Sequence, residues 1–272
     1  MKGHKATKIM NNNDNTQSIN EFNFDLICEY FSSVSRQGPG SDETTLQALR
    51  FAEELNLHGR AADIGCGTGS SAMMLAKHTD MSVTAVDLFP RFISILQQHV
   101  KRASLSHRVE TLVADMAALP FTGESLDLIW SEGAIYNVGF RQGLKLWRPF
   151  LKHGAYIAVS EATWFTRQRP DEIEQFWQEA YPEIDTIDAK IKVMQEEGYD
   201  VIAAFRLPGK CWIDNFYIPQ RQAQQEFLKL HPNNATATAL VENQCREAEM
   251  YSRYHQYYGY VFYIGRKPLK RN

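Results

Sequence analysis

The sequence has no excess of basic residues, and this sets a first limit on its function. Its 272 residues include 29 lysines and arginines against 32 aspartates and glutamates, so the net charge is −3. Proteins that track a phosphate backbone usually carry a basic patch or stripe. The short basic tail at residues 266–271 is interpreted as a solvated terminus. We therefore predict that nucleic acid is not a partner.

Cysteines are few and scattered along the chain. The four are Cys28, Cys66, Cys211 and Cys245, with no CxxC pair and no histidine at the spacing of a metal ligand. This pattern argues against a disulfide framework and against a zinc site. We predict no metal and a reducing, cytoplasmic location.

Long apolar runs are also missing. No stretch approaches the roughly 20 apolar residues that a membrane-spanning helix needs, and the N-terminus lacks the apolar segment of a secretory signal. We expect no stable insertion into a membrane. Residues 1–20 are polar, with asparagine at all three positions 11–13, and are predicted to be disordered.

Strand-like and helix-like spacings of apolar residues alternate through the middle of the chain. Strands are predicted at 60–64, 82–87, 109–114, 126–131 and 155–160, with helices at 70–77, 90–103 and 143–150. Strands separated by helices predict a parallel sheet that is covered on both faces. Right-handed crossovers make this an α/β, doubly wound sheet.

Further elements are predicted on both sides of this alternating core. Helices are expected at 22–33 and 43–57, and Ser41 or Asp42 is suited to cap the second. After the core, helices are predicted at 171–180, 184–197, 219–230 and 235–251. A sixth strand is predicted at 200–207 and a last strand, rich in aromatic and β-branched residues, at 257–266.

A glycine-rich loop follows the first predicted strand, where residues 62–69 read ADIGCGTG. Glycines permit a tight turn and let a ligand approach the backbone closely. The N-terminus of the following helix offers free N–H groups. By itself, such a loop is also compatible with a simple turn.

Polar residues stand at the ends of the next two predicted strands. Asp87 ends the second strand, where a carboxylate can accept hydrogen bonds from both ribose hydroxyls of a nucleotide. Asp115 and Met116 follow the third strand, where a carboxylate and a neighbouring N–H suit the polar edge of adenine. Met116 and Leu88 are suited to pack on the faces of the base.

The fourth strand ends in a similar way, with Glu132 and Gly133. Each of these strand-end residues, taken alone, has an ordinary interpretation as a helix cap or a polar loop residue. The carboxyl ends of parallel strands are, however, where open α/β sheets bind ligands. The ordered set therefore predicts a site for a nucleotide-like ligand.

These motifs resemble those of the class I S-adenosylmethionine-dependent methyltransferases. The similar segments are DIGCGTG, TAVDL, VADM, and LPF followed by LDLIWSEGAIYN, and the most similar group is that of the ubiquinone/menaquinone biosynthesis methyltransferases. The match covers about residues 60–161, and QGPGS at 37–41 resembles an N-terminal element of some bacterial members. The resemblance implies a Rossmann-like sheet of seven mostly parallel strands with an antiparallel last strand, plus a helical cap.

The resemblance also implies a domain division and a cofactor, S-adenosyl-L-methionine. We predict one domain over 21–272, with a helical cap at 21–57, a cofactor-binding core at 58–162, substrate-side helices and the sixth strand at 163–256, and the last strand at 257–267. The glycine loop would hold the methionine portion, and Asp63 would place its amino group. The implied cofactor-binding residues are Asp63, Gly65, Cys66, Gly67, Gly69, Asp87, Leu88, Asp115, Met116, Glu132 and Gly133.

The methyl acceptor is predicted to be a small molecule. The candidate catalytic residues are Glu161, Tyr136 and Asn137, and the candidate substrate-binding residues are Tyr30, Trp212 and Tyr217. Glu161 ends the fifth strand and is suited to act as a base or to contact the substrate, although a helix cap or an ion pair with an arginine explains it equally well. A place in the buried core is the alternative for the aromatic residues.

Two other functions share part of this pattern. A nicotinamide-dependent oxidoreductase has the glycine loop and Asp87, but its fingerprint places a third glycine where this chain has Ser70. A protein that binds S-adenosylmethionine without catalysis is the second alternative. The motif SEGAIYN also differs from the Asn/Asp-Pro-Pro-aromatic motif that serves nucleobase and similar planar nitrogens. The acceptor atom, the use of a base and the oligomeric state are left open.

Overall fold

The computed structural model describes residues 24–52 and 55–270, and its centre is one mixed β-sheet. The predicted disorder of residues 1–20 lies outside the described residues. The strands are β1 (Arg60–Ile64), β2 (Ser82–Asp87), β3 (Val109–Val113), β4 (Leu126–Glu132), β5 (Leu151–Trp164), β6 (Asp185–Thr186), β7 (Asp200–Arg206) and β8 (Tyr258–Arg266).

Helices connect these strands and flank the sheet. They are α1 (Phe24–Ser32), α2 (Asp42–Arg50), α3 (Ser70–His78), α4 (Pro90–Arg102), α5 (Phe140–Trp147), α6 (Asp171–Ala180), α7 (Ile187–Glu196), α8 (Lys210–Trp212), α9 (Ile218–Leu230) and α10 (Ala235–Tyr254). A π-helical turn, Ile213–Tyr217, joins α8 to α9. In the described part of the chain, no helix combines the length and the apolar character that crossing a bilayer requires.

The strand order is β3-β2-β1-β4-β5-β8-β7, with β6 paired to the end of β5. Strands β1 to β5 run parallel to one another, and β8 is antiparallel to both β5 and β7. The predicted doubly wound sheet and its antiparallel last strand are therefore confirmed. This order puts β1 and β4 at the centre, so that the loops after β1, β2, β3 and β4 open on one edge.

Two apolar cores cover the two faces of the sheet. On β5, Tyr156 and Ala158 face one core while Ile157 and Val159 face the other, as the period of two in a strand requires. Helices α2, α3, α4 and α10 contribute to the first core, and α5 and α7 to the second. A third, smaller core joins α1, α9 and α10, which hold the N-terminal segment on the rest of the molecule.

The largest differences between the predicted elements and the structure are in α2, β5 and β6. The helix expected at 43–57 ends at Arg50, where the amide of Phe51 donates to the carbonyls of Ala48 and Leu49 and so tightens the last turn. Ala52 and Leu55 are buried but lie outside the helix, so their apolar spacing was mistaken for helical continuation. The fifth strand runs past both predicted ends, because Leu151 pairs with Leu126 of β4 at its start and β8 pairs with it as far as Trp164. The two-residue strand β6 was not predicted.

Candidate functional site

The glycine loop between β1 and α3 adopts a backbone that only glycine tolerates easily. Gly65, Gly67 and Gly69 have φ angles of +74°, +54° and +94°. The amides of Gly65 and Cys66 donate to the carbonyl of Val86 at 2.9 and 3.0 Å, which ties the loop to the end of β2. The sequence motif therefore forms a tight turn across the ends of two central strands, with the N-terminus of α3 behind it.

Asp87, at the end of β2, holds this loop in place. Its Oδ2 accepts a hydrogen bond from the amide of Gly67 at 2.8 Å, and its Oδ1 accepts one from Phe89 at 3.0 Å. Burial raises the pKa of the Asp87 carboxyl. Since a carboxylate can accept about four hydrogen bonds, each oxygen retains capacity for a ribose hydroxyl. The next residue, Leu88, keeps its side chain 54% exposed at the same edge.

Asp63, inside β1, has an unsatisfied buried oxygen. Its side chain is fully buried; Oδ2 accepts from the hydroxyl of Ser71 at 2.6 Å, and Oδ1 has no hydrogen-bond partner. Burial, with the charges of Glu132 and Asp87 nearby, raises the pKa of Asp63 to about 7. A buried acceptor without a donor is costly. A cationic amino group supplies both the missing donor and the missing charge, so the residue fits the role that the resemblance implies.

The residues after β3 form the next part of the edge. Asp115 is exposed, and its Oδ1 accepts from the amide of Ala117 at 2.8 Å, so this side chain also caps its own turn. Met116 is held by its carbonyl, which accepts from the indole N–H of Trp147 at 2.9 Å. Its Cε lies 3.3 Å from the position of a Cβ on Gly65. Met116 is thus fixed beside the glycine loop, where the face of a base is expected.

The carboxylate of Glu132, at the end of β4, already has partners among the side chains of the protein. Its Oε1 accepts from the hydroxyl of Thr45 at 2.6 Å and from the indole of Trp130 at 2.9 Å, and its Oε2 lies 3.5 Å from Arg36. The carboxylate therefore joins the sheet to α2 and to the loop before it. A link of this kind is not visible in the sequence, because Thr45 and Glu132 are 87 residues apart.

We expect Glu132→Ala to lower the free energy of unfolding by about 1–3 kcal/mol, because the buried N–H of Trp130 and the hydroxyl of Thr45 lose their acceptor. Urea denaturation followed by fluorescence measures this. Glu132→Gln keeps an amide oxygen at Oε1 and should cost less than half as much. Equal midpoints for wild type and Glu132→Ala would contradict the structural role.

Gln37 lies at the site but is not among the predicted site residues. Its Oε1 accepts from the amide and the hydroxyl of Thr68, at 2.9 and 3.1 Å, and its Nε2 donates to the carbonyls of Phe31 and Val34. A Cβ on Gly67 would lie 2.4 Å from Gln37 Oε1. The segment QGPGS at 37–41 therefore covers the glycine loop, and that motif was the available signal.

The structure places Gly133 under an aromatic ring. Its φ is +59°, and its amide donates to the hydroxyl of Ser160 at 2.8 Å. A Cβ at this position would lie 2.8 Å from Cε2 of Tyr260. Any side chain larger than hydrogen would therefore displace Tyr260, which closes this end of the site from β8.

The three candidate catalytic residues occupy different surroundings. Tyr136 is 43% exposed, in the turn after β4. Asn137 donates from Nδ2 to the carbonyl of Ala134 at 2.9 Å and so stabilises its own turn. Glu161 is fully buried, and its Oε1 lies 3.4 Å from the Nζ of Lys190 on α7. The ion-pair interpretation of Glu161 thus describes its contacts, with a lysine as the partner.

The candidate substrate-binding residues are mostly part of the packed interior. Tyr30 is fully buried in the third core, and its hydroxyl donates to Gln220 at 2.6 Å. Trp212 is 1% exposed and stacks on Tyr251 at a centroid distance of 4.5 Å. Tyr217 is buried as well, and its hydroxyl donates to Glu247 at 3.0 Å. Glu247, on α10, was not predicted, and no motif in the sequence marks it.

A comparison with protein families identifies the segment at 61–154 as similar to a methyltransferase domain. Among curated proteins, the chain is 33% identical over 107 residues to a ubiquinone/menaquinone biosynthesis C-methyltransferase of Geotalea daltonii, covering 38% of this chain and 46% of that one. It is 28% identical over 139 residues to 27-O-demethylrifamycin SV methyltransferase of Amycolatopsis mediterranei, covering 46% and 51%. The chain spans about half the length of these relatives.

Solved structures share the fold over nearly the whole chain. A S-adenosylmethionine-dependent methyltransferase from Geobacter sulfurreducens, crystallised with S-adenosylhomocysteine, has a TM-score of 0.77 at 17% identity, covering 89% of this chain and 98% of that one. A second such enzyme, from Thiobacillus denitrificans, has a TM-score of 0.76 at 18% identity. The resemblance to class I S-adenosylmethionine-dependent methyltransferases, with the group of ubiquinone/menaquinone enzymes among its relatives, is confirmed. These findings support S-adenosylmethionine as the cofactor.

Proposed function

We propose that the protein transfers a methyl group from S-adenosylmethionine to a small-molecule acceptor at the edge formed by the ends of β1, β2, β3 and β4. The observation that supports this most directly is the arrangement of Asp63, Gly67 and Asp87. Asp87 fixes the turn at Gly67 through its amide, and Asp63 keeps an unsatisfied oxygen below the same loop. An adenosyl amino acid offers a ribose diol to the carboxylate of Asp87 and an ammonium group to the carboxylate of Asp63.

The roles of the chain's own residues follow from this arrangement. The glycine loop binds the amino-acid portion, while Leu88 and Met116 pack on the base and Asp115 accepts from its polar edge. The bound cofactor supplies an already activated methyl group on a sulfonium centre. The protein then contributes by orienting the acceptor and by excluding water, for which Gln37 and Tyr260 are placed over the two ends of the site.

The alternative of a nicotinamide-dependent oxidoreductase receives no support from the loop. The third glycine of that fingerprint allows close packing of the helix on the strand. This chain has Ser70 at that position, and its hydroxyl donates to the carbonyl of Ser35 in the N-terminal segment at 3.4 Å. The domain division given above, the small-molecule acceptor and the cytoplasmic location stay predictions.

The proposed reaction is tested by incubating the protein with a metabolite extract and a cofactor that carries a trideuteromethyl group. Mass spectrometry should show at least one product that is heavier than its precursor by one labelled methyl group. The control is the same extract with protein that carries Asp87→Ala. Tight binding of S-adenosylhomocysteine with no labelled product in any extract would favour a binding protein without catalysis.

The affinity for S-adenosylhomocysteine should rise with pH up to about 7 and then level off. Burial holds the pKa of Asp63 at about 7 in the free protein, and an ammonium group beside the carboxylate favours its ionised form. Below this pKa, binding must release a proton, so each unit of pH costs up to about tenfold in affinity. Isothermal titration calorimetry between pH 5.5 and 8.5 measures the profile.

The matched control for this profile is Asp63→Asn, which keeps the size of the side chain and removes its titration. Asp87, whose pKa is also raised by burial, contributes to the pH dependence of the affinity in the same direction in both proteins. The variant should bind more weakly and show a shallower dependence on pH. Parallel profiles for the two proteins would exclude Asp63 as the partner of the amino group.

A further inference from the structure

Glu247 is a half-buried carboxylate on α10 that the proposed cofactor site does not use. Its Oε1 accepts a hydrogen bond from the hydroxyl of Tyr217 at 3.0 Å. Burial raises the pKa of the hydroxyls of Tyr136 and Tyr260, and the charge of Glu247 adds to both shifts. We call these four residues the Glu247 cluster. They come from the turn after β4, from the π-helical turn, from α10 and from β8, so the fold rather than a local motif assembles them.

Among the described residues, no cation pairs with this carboxylate. Within 24–52 and 55–270, Glu247 forms no ion pair, whereas Glu249 on the same helix lies 3.8 Å from Arg253. Gln244, one turn earlier on α10, has a buried Oε1 without a hydrogen-bond partner. Two acceptors thus lie on neighbouring turns of α10 with unused capacity, and burial of unpaired acceptors is unfavourable.

The Glu247 cluster borders the place where the methyl acceptor is expected. The ring of Tyr260 lies against Gly133 at the end of β4, and Trp212 packs edge-on against Tyr260 at a centroid distance of 4.8 Å. Tyr136, in the turn that follows Gly133, leaves 43% of its side chain accessible. A ligand beside Gly133 therefore meets aromatic surface. Tyr217, whose ring lies 6.0 Å from that of Trp212, connects this surface to the carboxylate of Glu247.

We propose that the Glu247 cluster binds an alkylammonium group of the methyl-acceptor substrate. This rests on the proposed function, because it assigns a substrate class to the same site. A carboxylate beside electron-rich aromatic faces attracts an organic cation through charge and through cation–π interaction. The cation supplies the positive charge that no described residue places beside Glu247. A neutral acceptor would supply no charge to balance Glu247.

The test compares two ligands of the same shape. Choline carries a trimethylammonium head, and 3,3-dimethylbutan-1-ol replaces its nitrogen by carbon without charge. Ligand-observed nuclear magnetic resonance titrations are run with the full chain and saturating S-adenosylhomocysteine at constant ionic strength. Choline should bind at least about tenfold more tightly than the alcohol, a preference that a charged hydrogen-bonded contact readily provides.

Two variants locate the preference on the protein. Glu247→Gln keeps the size of the side chain and should weaken choline about tenfold or more while leaving the alcohol unchanged. Glu249→Gln, at an exposed position two residues away, should leave both affinities unchanged. Thermal unfolding of each variant checks that the fold is intact, and the comparison of the two ligands on wild-type protein needs no variant at all.

Each outcome bears on a different claim. Equal binding of choline and the alcohol, absence of choline binding, or an unchanged preference in Glu247→Gln overturns the assignment of an ammonium site. Calorimetry with S-adenosylhomocysteine on the same samples distinguishes a failure of the ammonium site from a failure of the proposed function. Retained cofactor binding without a choline preference rejects only the substrate class, while loss of cofactor binding in wild-type protein rejects both.

Discussion

Asp87→Ala should weaken the binding of S-adenosylhomocysteine by about 1–3 kcal/mol, which is about 5- to 150-fold in the dissociation constant. The substitution removes the acceptor proposed for the ribose hydroxyls. It also removes the partner of the Gly67 amide, which donates to Asp87 Oδ2 at 2.8 Å, so the glycine loop loses one of the hydrogen bonds that fix its conformation. Both effects act against the ligand. Isothermal titration calorimetry well below the unfolding temperature gives the two dissociation constants.

Two further variants show whether the loss of affinity comes from the carboxylate of Asp87 itself. Asp87→Asn keeps one side-chain oxygen and should show an intermediate loss, because the amide group still accepts one of the two backbone hydrogen bonds. Glu110→Ala removes an exposed carboxylate from the neighbouring strand β3 and should not change the affinity. An unchanged dissociation constant in Asp87→Ala would remove this residue from the site.

Gly69→Ala should lower the free energy of unfolding by about 2–5 kcal/mol. Part of this, about 1–2 kcal/mol, comes from placing a Cβ on a backbone with φ of +94°. The rest, about 1–3 kcal/mol, comes from overpacking, because the new Cβ would lie 2.0 Å from Cδ1 of Leu96. Leu96 is fully buried on α4, so its side chain must shift within the core to make room. Urea denaturation measures the difference.

Gly38→Ala is the matched control for this substitution. Nothing lies within 4 Å of the position of a Cβ on Gly38, and its φ is not in the left-handed region. We expect a change within about 0.5 kcal/mol, as for surface substitutions in general. Equal unfolding free energies for the two variants would show that the turn at Gly69 is not constrained as the structure indicates.

The central part of the fold was predictable because its signals are local. The strand β1, the glycine loop and α3 follow each other within 20 residues, and apolar period and glycine spacing define each of them. The same holds for Ser41, which caps α2 through reciprocal hydrogen bonds with Thr44. The end of α2 was not predictable in this way, because buried residues in a turn, such as Leu55, imitate the spacing of a helix.

The contacts of the site were harder to predict because they join distant parts of the chain. The sequence placed Glu132 at a strand end, but its partner Thr45 is 87 residues away. Gln37 reaches Thr68 across 31 residues, and Glu161 reaches Lys190 across 29. Residue type and spacing indicate which side chains lie at the edge of the sheet. Only the packing of the helices on that edge decides which of them is engaged by the protein and which is left for a ligand.

The central claim is that the edge formed by the ends of β1 to β4 binds an adenosyl amino acid. Differential scanning fluorimetry with S-adenosylhomocysteine and with NADH, each at the same concentrations, tests this most directly. A ligand at 100 times its dissociation constant stabilises the folded state by about 2.7 kcal/mol. The unfolding temperature should rise with S-adenosylhomocysteine and stay unchanged with NADH. Stabilisation by NADH alone would contradict the claim.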